Sequence, residues 1–386
     1  MFNSIVIHYG EIGIKGKNRD FFEKKLIENL RFALKKLVKK VYRRYGRIIC
    51  DLPKKPKYKK IEEILKNFPG IEYFAFSIKT ELSLEKIKKV SLKLLKKQKF
   101  ESFKVESKRS YKEFPLNSLE LNKILGEYII KKLKKKVDVK NPEIILFVEI
   151  CEKESFLYTK KIKGIGGLPT STSGKIISLL SGGIDSPVAS FLLMKRGAQI
   201  IFVHFYNPNF NKPKDLKKIE KIVKKLTKFQ LRSKLYLIPV EKIQKELVKK
   251  IPQAYRMILF RRFIIQIANQ IAKKENAKAL VTGDSLAQVA SQTLENIYSI
   301  HSSSIFPILT PLIGLNKQEI IEIAKKIGTY EISIIPYKEV CPIISSSHPI
   351  TKSKIEDVIN LENKIDKKEK LIEDCLKRTK IKFFEI

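Results

Sequence analysis

Residues 181–186 read Ser181-Gly182-Gly183-Ile184-Asp185-Ser186, and they stand between an apolar run and an amphipathic stretch. The apolar run, residues 176–180, predicts a buried parallel strand, and Pro187 to Leu193 predicts the first turns of a helix, where proline is tolerated. Two adjacent glycines let the backbone turn tightly, and a helix N-terminus directs unpaired N–H groups at an anionic ligand. The stretch therefore predicts a phosphate-binding loop.

The rest of the C-terminal half alternates regularly between strand and helix patterns. Strands are predicted at 176–180, 199–205, 234–240 and 279–282, each separated from the next by a helical pattern. This order predicts a doubly wound parallel sheet with ligands at the carboxyl ends of its strands. Asp185, His204 and Gly283 all fall at such ends. Residues 1–163 instead predict small α+β units with ferredoxin-like layering, in preference to one large sheet.

Charge distribution indicates a polyanionic partner. The 386 residues carry a net charge of +39, and residues 1–165 hold 42 Lys and Arg against 20 Asp and Glu. Such a field favours nucleic acid, although a Lys-rich composition also follows from the base bias of a genome.

Cysteine spacing and apolar run lengths exclude several classes of protein. Cys50, Cys151, Cys341 and Cys375 form no Cys-x-x-Cys pair, which argues against a zinc site or a disulfide framework, and no metal-ligating residues are predicted. No run reaches membrane-spanning length and no signal peptide is recognised, so a cytoplasmic protein without membrane contact is expected.

The loop at 181–186 resembles the PP-loop of the ATP pyrophosphatase superfamily, whose members cleave ATP between its α- and β-phosphates to adenylate a substrate. Other segments, in family order, resemble the tRNA 4-thiouridine synthetase family, also called tRNA sulfurtransferase or ThiI. These segments are 9–19, the THUMP-like stretch 103–110, 166–169 with 173–175, 282–293 and 311–315.

The resemblance implies a fold and a reaction. It implies an N-terminal ferredoxin-like domain at 1–57, a THUMP RNA-binding domain at 58–163, a linker at 164–175 and a PP-loop domain at 176–386. In the implied reaction, ATP with Mg²⁺ adenylates O4 of uridine 8 in tRNA, and sulfur from a persulfide displaces AMP to give 4-thiouridine. Sulfur transfer for thiamine thiazole synthesis is a further implied role. The implied partners are tRNA and a cysteine desulfurase or another sulfur donor, and a homodimer is left open.

The resemblance also implies site residues. Asp185 is expected to position magnesium and pyrophosphate, although an acid at a helix start also suits the helix dipole alone. Arg261 matches the ATP-contacting arginine, with the adjacent Arg262 as the alternative. RNA contacts are expected from Lys104, Lys108 and Arg109. The implied nucleotide-binding set is Leu179, Leu180, Ser181, Gly182, Gly183, Asp185, Ser186, His204, Phe205, Arg261, Gly283 and Gln292.

Cys341 matches the catalytic cysteine of the family's PP-loop domain. The alternative to a catalytic role is that Cys341 is a buried residue that serves only in packing. Longer relatives carry a C-terminal rhodanese domain that receives the persulfide, and this sequence ends at Ile386 without room for one. A separate carrier, Cys341 itself or another sulfur donor is therefore expected to supply the sulfur.

Two other functional classes stay open at this point. Another PP-loop enzyme of tRNA, a 2-thiouridylase or a lysidine synthetase, would share the phosphate loop. A non-catalytic tRNA-binding protein would share the basic N-terminal half.

Overall fold

The computed structural model describes residues 2–44, 46–337, 344 and 346–386. The chain divides into two compact units, residues 1–169 and 170–386. Within the described residues, none of the helices combines the length and the apolar character that crossing a lipid bilayer requires.

The first unit is built on a single nine-stranded sheet with the order β2-β3-β1-β4-β8-β7-β5-β6, in which β9 also pairs with β4. Its strands are β1 (Ser4–His8), β2 (Lys40–Arg44), β3 (Arg47–Asp51), β4 (Tyr73–Glu81), β5 (Ser102–Arg109), β6 (Lys136–Val137), β7 (Ile144–Ile150), β8 (Glu154–Tyr158) and β9 (Ile162–Lys163). Its helices are α1 (Arg19–Leu34), α2 (Tyr58–Lys66), α3 (Leu84–Leu95) and α4 (Ser118–Leu133).

The nine-stranded sheet corrects the expectation of separate small α+β units. The nine residues of β4 explain the difference, because Tyr73–Ser77 pair with β1 while Ile78–Glu81 pair with β8. The two halves of β4 therefore pair with different strands, and β4 joins both groups of strands into one sheet. The mixed α/β and α+β multidomain fold class itself is confirmed.

Hydrophobic periodicity determines how α3 and α4 pack. Their apolar residues, including Ile87 and Leu125, form one buried cluster with Phe103 and Val105 of β5. Asn117 begins α4 with a capping box: its side chain accepts from the amides of Leu119 and Glu120, which satisfies donors that a helix start leaves unpaired.

The sheet of the first unit is strongly curled. Arg47 lies on β3 and Glu149 on β7, four strands further along the sheet order. In a flat sheet the backbones of these two strands would be about 19 Å apart. Their Nε and Oε2 atoms nevertheless lie 2.6 Å apart. His8 and Tyr158 complete this buried cluster, with Nε2 and the hydroxyl 2.8 Å and 2.7 Å from Glu149 Oε1.

The second unit contains a six-stranded sheet with the order β14-β13-β10-β11-β12-β15. Its strands are β10 (Lys175–Leu179), β11 (Gln199–Tyr206), β12 (Arg232–Pro239), β13 (Ala279–Val281), β14 (Ile308–Leu309) and β15 (Lys380–Glu385). Its helices are α5 (Asp185–Lys195), α6 (Pro213–Gln230), α7 (Glu241–Lys250), α8 (Arg256–Glu275), α9 (Leu294–His301), α10 (Lys317–Ile327), α11 (Tyr330–Ser333), α12 (Ile355–Asn363) and α13 (Lys368–Lys377).

The strand order creates a switch point beside β10. The chain passes from β10 to β11 and β12 on one side, and then returns to place β13 on the other side. These strands are parallel, and only β15 pairs antiparallel among the described strands of this sheet. Connections that leave a parallel sheet in opposite directions open a crevice at the carboxyl ends of its strands. The predicted doubly wound sheet is therefore confirmed.

Candidate active site

A cavity of about 490 Å³ lies at this switch point, in the size range of sites for small ligands. One part of its lining is apolar and comes from Met257, Ile258, Ile264 and Ile350, and the other part is polar. The lining as a whole includes seven of the sequence-predicted residues. They are Leu179, Ser181, Asp185, Ser186, Arg261, Gly283 and Gln292.

The predicted phosphate loop connects β10 to α5, as expected. Ser186 Oγ accepts from the amide of Ser181 at 2.8 Å, and Ser181 Oγ accepts from the amide of Gly183 at 3.2 Å. These bonds hold the loop in a tight turn at the start of α5. The first amides of a helix have no partner within the helix, so α5 presents donors and the positive end of its dipole at this place.

Gly283, which follows β13, approaches the loop closely. A Cβ atom at Gly283 would lie 2.7 Å from the amide nitrogen of Ser186 and 2.9 Å from the carbonyl carbon of Asp185. Both contacts are with backbone atoms, which cannot move aside as a side chain can. Glycine is therefore required where the two connections meet.

Asp185 is held by two side chains that the sequence did not single out. Lys317 Nζ, at the start of α10, lies 2.6 Å from one carboxylate oxygen, and Gln288 Nε2 lies 3.0 Å from the other. The contacts bring an ammonium group to the phosphate loop. Among 79 Lys and Arg residues, nothing in the local sequence distinguishes Lys317.

Arg261 and Arg262 have different environments. Arg261 lines the cavity, and its Nη2 donates to both carboxylate oxygens of Asp284 at 2.7 Å. Arg262 is buried away from the cavity lining, where its Nε donates to Glu362 at 2.5 Å. Of the two arginines, Arg261 is thus the one that can reach a ligand in the cavity.

Asp284 is a third residue that the sequence did not single out. Burial alone would raise the pKa of this carboxyl, but the Arg261 guanidinium and hydrogen bonds from neighbours including Thr282 hold it well below its usual range. Gln292 Nε2 also donates to Asp284, at 3.1 Å. The ionised carboxylate therefore fixes the positions of Arg261 and Gln292 in the cavity wall.

The remaining predicted nucleotide residues lie near the cavity without forming its described lining. Gly182 and Gly183 belong to the phosphate loop. Leu180, His204 and Phe205 are buried, and Phe205 packs in the main hydrophobic core of this unit. His204 bonds to the carbonyl oxygen of Leu180 through Nδ1 at 2.8 Å.

The predicted RNA-binding residues lie on β5 in the first unit. Phe103 and Val105 point into the core, so the alternating Lys104 and Lys108 face the other side of the sheet. Arg109 instead donates to the carbonyl oxygens of Lys112 and Phe114, at 3.2 and 2.9 Å. The structure therefore separates Arg109, which holds a loop, from the two lysines.

Cys341, the predicted catalytic cysteine, lies outside the described residues. Cys50, Cys151 and Cys375 are buried, and burial raises the pKa of each thiol, that of Cys375 to about 12. Thiols with raised pKa values carry little thiolate and are poor nucleophiles.

Matches to known protein families identify the class of protein to which this chain belongs. The profile of the ThiI ferredoxin-like domain matches residues 4–75, that of the THUMP domain matches 81–160, and that of the thiamine biosynthesis protein ThiI matches 171–367. A phosphate loop at a sheet switch point, in a chain with ferredoxin-like and THUMP domains, defines a PP-loop protein that acts on RNA.

Full-length relatives identify the family within this class. A probable tRNA sulfurtransferase of Thermoanaerobacter sp. (strain X514) is 43% identical over 370 residues, which cover 95% of this chain and 96% of that protein. The probable tRNA sulfurtransferase of Brevibacillus brevis is 38% identical over 98% of this chain and 96% of its own. A crystal structure of a 4-thiouridine synthetase–RNA complex with bound ATP superposes with a TM-score of 0.92 at 36% identity, over all of both chains. The chain belongs to the ThiI family of tRNA sulfurtransferases.

Proposed function

We propose that this tRNA sulfurtransferase uses ATP to adenylate O4 of uridine 8 in tRNA and then replaces that oxygen with sulfur, giving 4-thiouridine. The observation that carries the proposal is the meeting of the phosphate loop, Asp185 and Lys317 at the switch point of the sheet. A carbonyl oxygen is a poor leaving group, whereas AMP is a good one. Adenylation therefore has to precede the displacement by sulfur.

The cavity suits ATP in both chemistry and size. The loop amides and the start of α5 favour phosphate, and Lys317 and Arg261 add positive charge nearby. The apolar wall of Met257, Ile258 and Ile350 suits a base or a ribose. Leu179, Gly283 and Gln292 are proposed as further nucleotide contacts, and Leu180, His204 and Phe205 as the support behind them.

Magnesium fits this site through one protein carboxylate. Among the described residues, His, Cys, Asp and Glu form no group of three or more that could hold a metal ion. Mg²⁺ in nucleotide enzymes commonly takes one or two carboxylates together with substrate phosphates, so Asp185 at the loop is the residue we propose to hold it. When bound, the ion would neutralise charge on the pyrophosphate leaving group.

The sulfur carrier proposed within this chain is Cys341. The three described cysteines are buried thiols with raised pKa values, which makes them unsuitable. A persulfide on Cys341, formed when a cysteine desulfurase or another persulfide donor transfers its sulfane sulfur, would attack C4 through its terminal sulfur of low pKa and displace AMP. A small-molecule thiol would then attack the Cys341 sulfur, which releases 4-thiouridine and leaves a mixed disulfide for a second thiol to reduce.

RNA binding is proposed for the basic first unit, with Lys104 and Lys108 on the sheet face that α3 and α4 leave uncovered. A cytoplasmic location goes with a tRNA substrate. A homodimer is an additional proposal, and the molar mass in solution tests it.

Mass spectrometry of tRNA nucleosides tests the proposed function. Cells that lack the protein should lose 4-thiouridine, and a plasmid copy of the wild-type chain should restore it while Asp185→Asn should not. Loss of 2-thiouridine or lysidine instead would assign one of the other PP-loop reactions. No change in any modified nucleoside would leave RNA binding without catalysis as the function.

A further inference from the structure

The side-chain carbonyl of Gln292 is an acceptor without a partner in the wall of the cavity. Gln292 lines the cavity and is only 8% exposed, and its Oε1 makes no hydrogen bond with any residue that the structure describes. Most buried polar atoms are hydrogen-bonded, because an unpaired one loses its contacts with water and gains nothing in return. An unpaired oxygen in the wall of a ligand cavity therefore indicates that a bound group supplies the missing donor.

Asp284 determines which end of the Gln292 amide is free. Burial would raise the pKa of this carboxyl, but the Arg261 guanidinium holds it well below its usual range, and an ionised carboxylate only accepts hydrogen bonds. The Gln292 atom 3.1 Å from Asp284 is therefore the donor Nε2, and Oε1 is the end left unpaired. Backbone bonds fix the turn itself, because the amide of Gln292 donates to Val289 at 2.8 Å and its carbonyl oxygen accepts from Ala287 at 2.9 Å.

The position of Gln292 in the sheet favours one of the two substrates that adenylation brings to the phosphate loop. Leu180, His204 and Phe205, the residues expected beside ATP, lie at β10 and β11 and are absent from the described lining of the cavity. Gln292 follows β13, which lies on the opposite side of β10 from β11. Phosphate oxygens only accept, so they cannot be the missing donor. The unpaired Oε1 therefore suits the base that is adenylated.

Uracil carries a donor beside the atom that reacts. Its N3–H is adjacent to the carbonyl group of O4, whereas N3 of cytosine is an acceptor. With O4 held at the α-phosphate, an acceptor beside the ring would bond to uracil and would face a second acceptor in cytosine. A site built to accept from an N–H group strongly rejects an analogue that lacks this group.

We propose that Gln292 is a specificity-determining residue for the target base, and that its Oε1 accepts a hydrogen bond from N3–H of the uracil. In the adenylation step O4 forms a bond to the α-phosphorus, and the bond from this phosphorus to the bridging oxygen breaks. Pyrophosphate leaves with the electron pair of that bond, and the N3 proton is then released to water. The role rests on the proposed function, and it makes the nucleotide contact of Gln292 a contact with the target uridine.

Two tRNA substrates test this contact, one with uridine at position 8 and one with N3-methyluridine there. In wild type the methyl group removes the donor and collides with Oε1, so kcat/KM for pyrophosphate release should fall by at least roughly 100-fold. Gln292→Ala should lose about tenfold on uridine through the missing hydrogen bond, but its smaller side chain leaves room for the methyl group. Its discrimination between the two substrates should therefore be at least about tenfold weaker than that of wild type.

Gln292→Met provides a second variant, which keeps the side-chain volume and removes the acceptor. It should lose about tenfold in kcat/KM on uridine, and thermal melting checks that each variant is folded. The Kd for ATP, measured by isothermal titration, should stay at the wild-type value in both variants. Gln318→Met, at an exposed position of α10 outside the described cavity lining, is the matched control and should leave all of these values unchanged.

An equal loss on methylation in wild type and Gln292→Ala would overturn the assignment, because the methyl group would then not meet Gln292. A Kd for ATP that rises as much as kcat/KM falls would instead assign Gln292 to ATP. If wild type releases no pyrophosphate with the uridine substrate, the proposed function itself fails. Wild-type activity on unmodified tRNA therefore distinguishes the two failures.

Discussion

The ammonium nitrogen of Lys317 lies 2.6 Å from a carboxylate oxygen of Asp185, across 132 residues of sequence. Both side chains remain partly exposed, so the ion pair contributes little to the free energy of unfolding. The pair matters because it places an ammonium group and a carboxylate at the phosphate loop. A negative phosphate placed at the loop would draw the ammonium toward itself, and the carboxylate would then be available to a divalent cation.

Lys317→Gln should therefore reduce ATP-dependent pyrophosphate release by roughly 100-fold, because a positive group facing the leaving phosphates is lost. Binding of tRNA should change by less than twofold. Lys326→Gln, an exposed position on the same helix, is the matched control. Pyrophosphate release at the wild-type rate in Lys317→Gln would remove Lys317 from the catalytic site.

Gly283→Ala should damage catalysis through backbone displacement. The new methyl group would meet the amide of Ser186 at 2.7 Å, so the loop and the segment after β13 must separate. We expect a rise in the KM for ATP and a stability loss of about 1–3 kcal/mol. Gly314→Ala provides the comparison, because a Cβ there has no atom within 4 Å. Similar kinetics for both alanine variants would refute the close approach.

Arg261→Lys and Arg262→Lys should fail in different ways. A lysine cannot replace two directed guanidinium bonds, so Arg261→Lys should weaken ATP binding with only a modest loss of stability. Arg262→Lys should lower the melting temperature through the buried contact with Glu362 and leave the KM for ATP unchanged. Isothermal titration with ATP and thermal melting of each variant make the comparison. The reverse assignment would show that Arg262 is the nucleotide contact.

Salt dependence distinguishes the residues of β5. Removing a phosphate contact should reduce the slope of log affinity against log salt by roughly 0.7 to 0.9, which we expect for Lys108→Gln. Arg109→Lys keeps the charge and loses the carbonyl contacts, so its affinity should fall with little change in slope. Filter binding of tRNA at several salt concentrations measures both slopes, and identical slopes for wild type and Lys108→Gln would exclude Lys108 from phosphate contact.

Acid should destabilise the first unit through Glu149. Burial alone would raise the pKa of Glu149, but His8, Arg47 and Tyr158 lower it to about 2. A folded-state pKa below the unfolded value gives stability that is fully present above about pH 4.5 and lost as pH falls toward 2. Glu149→Gln should lose roughly 3 kcal/mol at pH 7, because Arg47 stays buried without its partner.

Thermal melting followed by circular dichroism at pH 7 and pH 3 measures the effect of Glu149. The variant Glu149→Gln should show a smaller difference between the two pH values than wild type shows. Glu127→Gln, exposed on α4, should behave as wild type does. An unchanged pH dependence in Glu149→Gln would contradict the assignment of the acid sensitivity to this carboxyl.

Local sequence patterns predicted much of the fold. The phosphate loop and the four strands around it follow from a contiguous motif and from apolar runs with clear ends. By contrast, the contact between Lys317 and Asp185 depends on where α10 packs, which no local pattern encodes. The local sequence also could not show which of Arg261 and Arg262 lines the cavity. The two residues are neighbours on one helix, and only tertiary packing decides which of them faces the cavity.

The joining of strands in the first unit was also beyond sequence reasoning. A strand that changes partners halfway, as β4 does, reads in sequence like any other strand of nine residues. The antiparallel edge strand β15 was missed because its side chains are mostly exposed and its sequence mixes lysines with aromatic residues. Pairing between distant strands is set by the whole sheet and not by either strand.

Because one half of β4 pairs with β1 and the other half with β8, the N-terminal half of this chain cannot be divided between these strands without splitting β4. A recombination event that imported a foreign ferredoxin-like segment would have to bring half of a strand with it, or match an edge it did not evolve with. Chimeras built for the laboratory should therefore exchange residues 1–169 as one block.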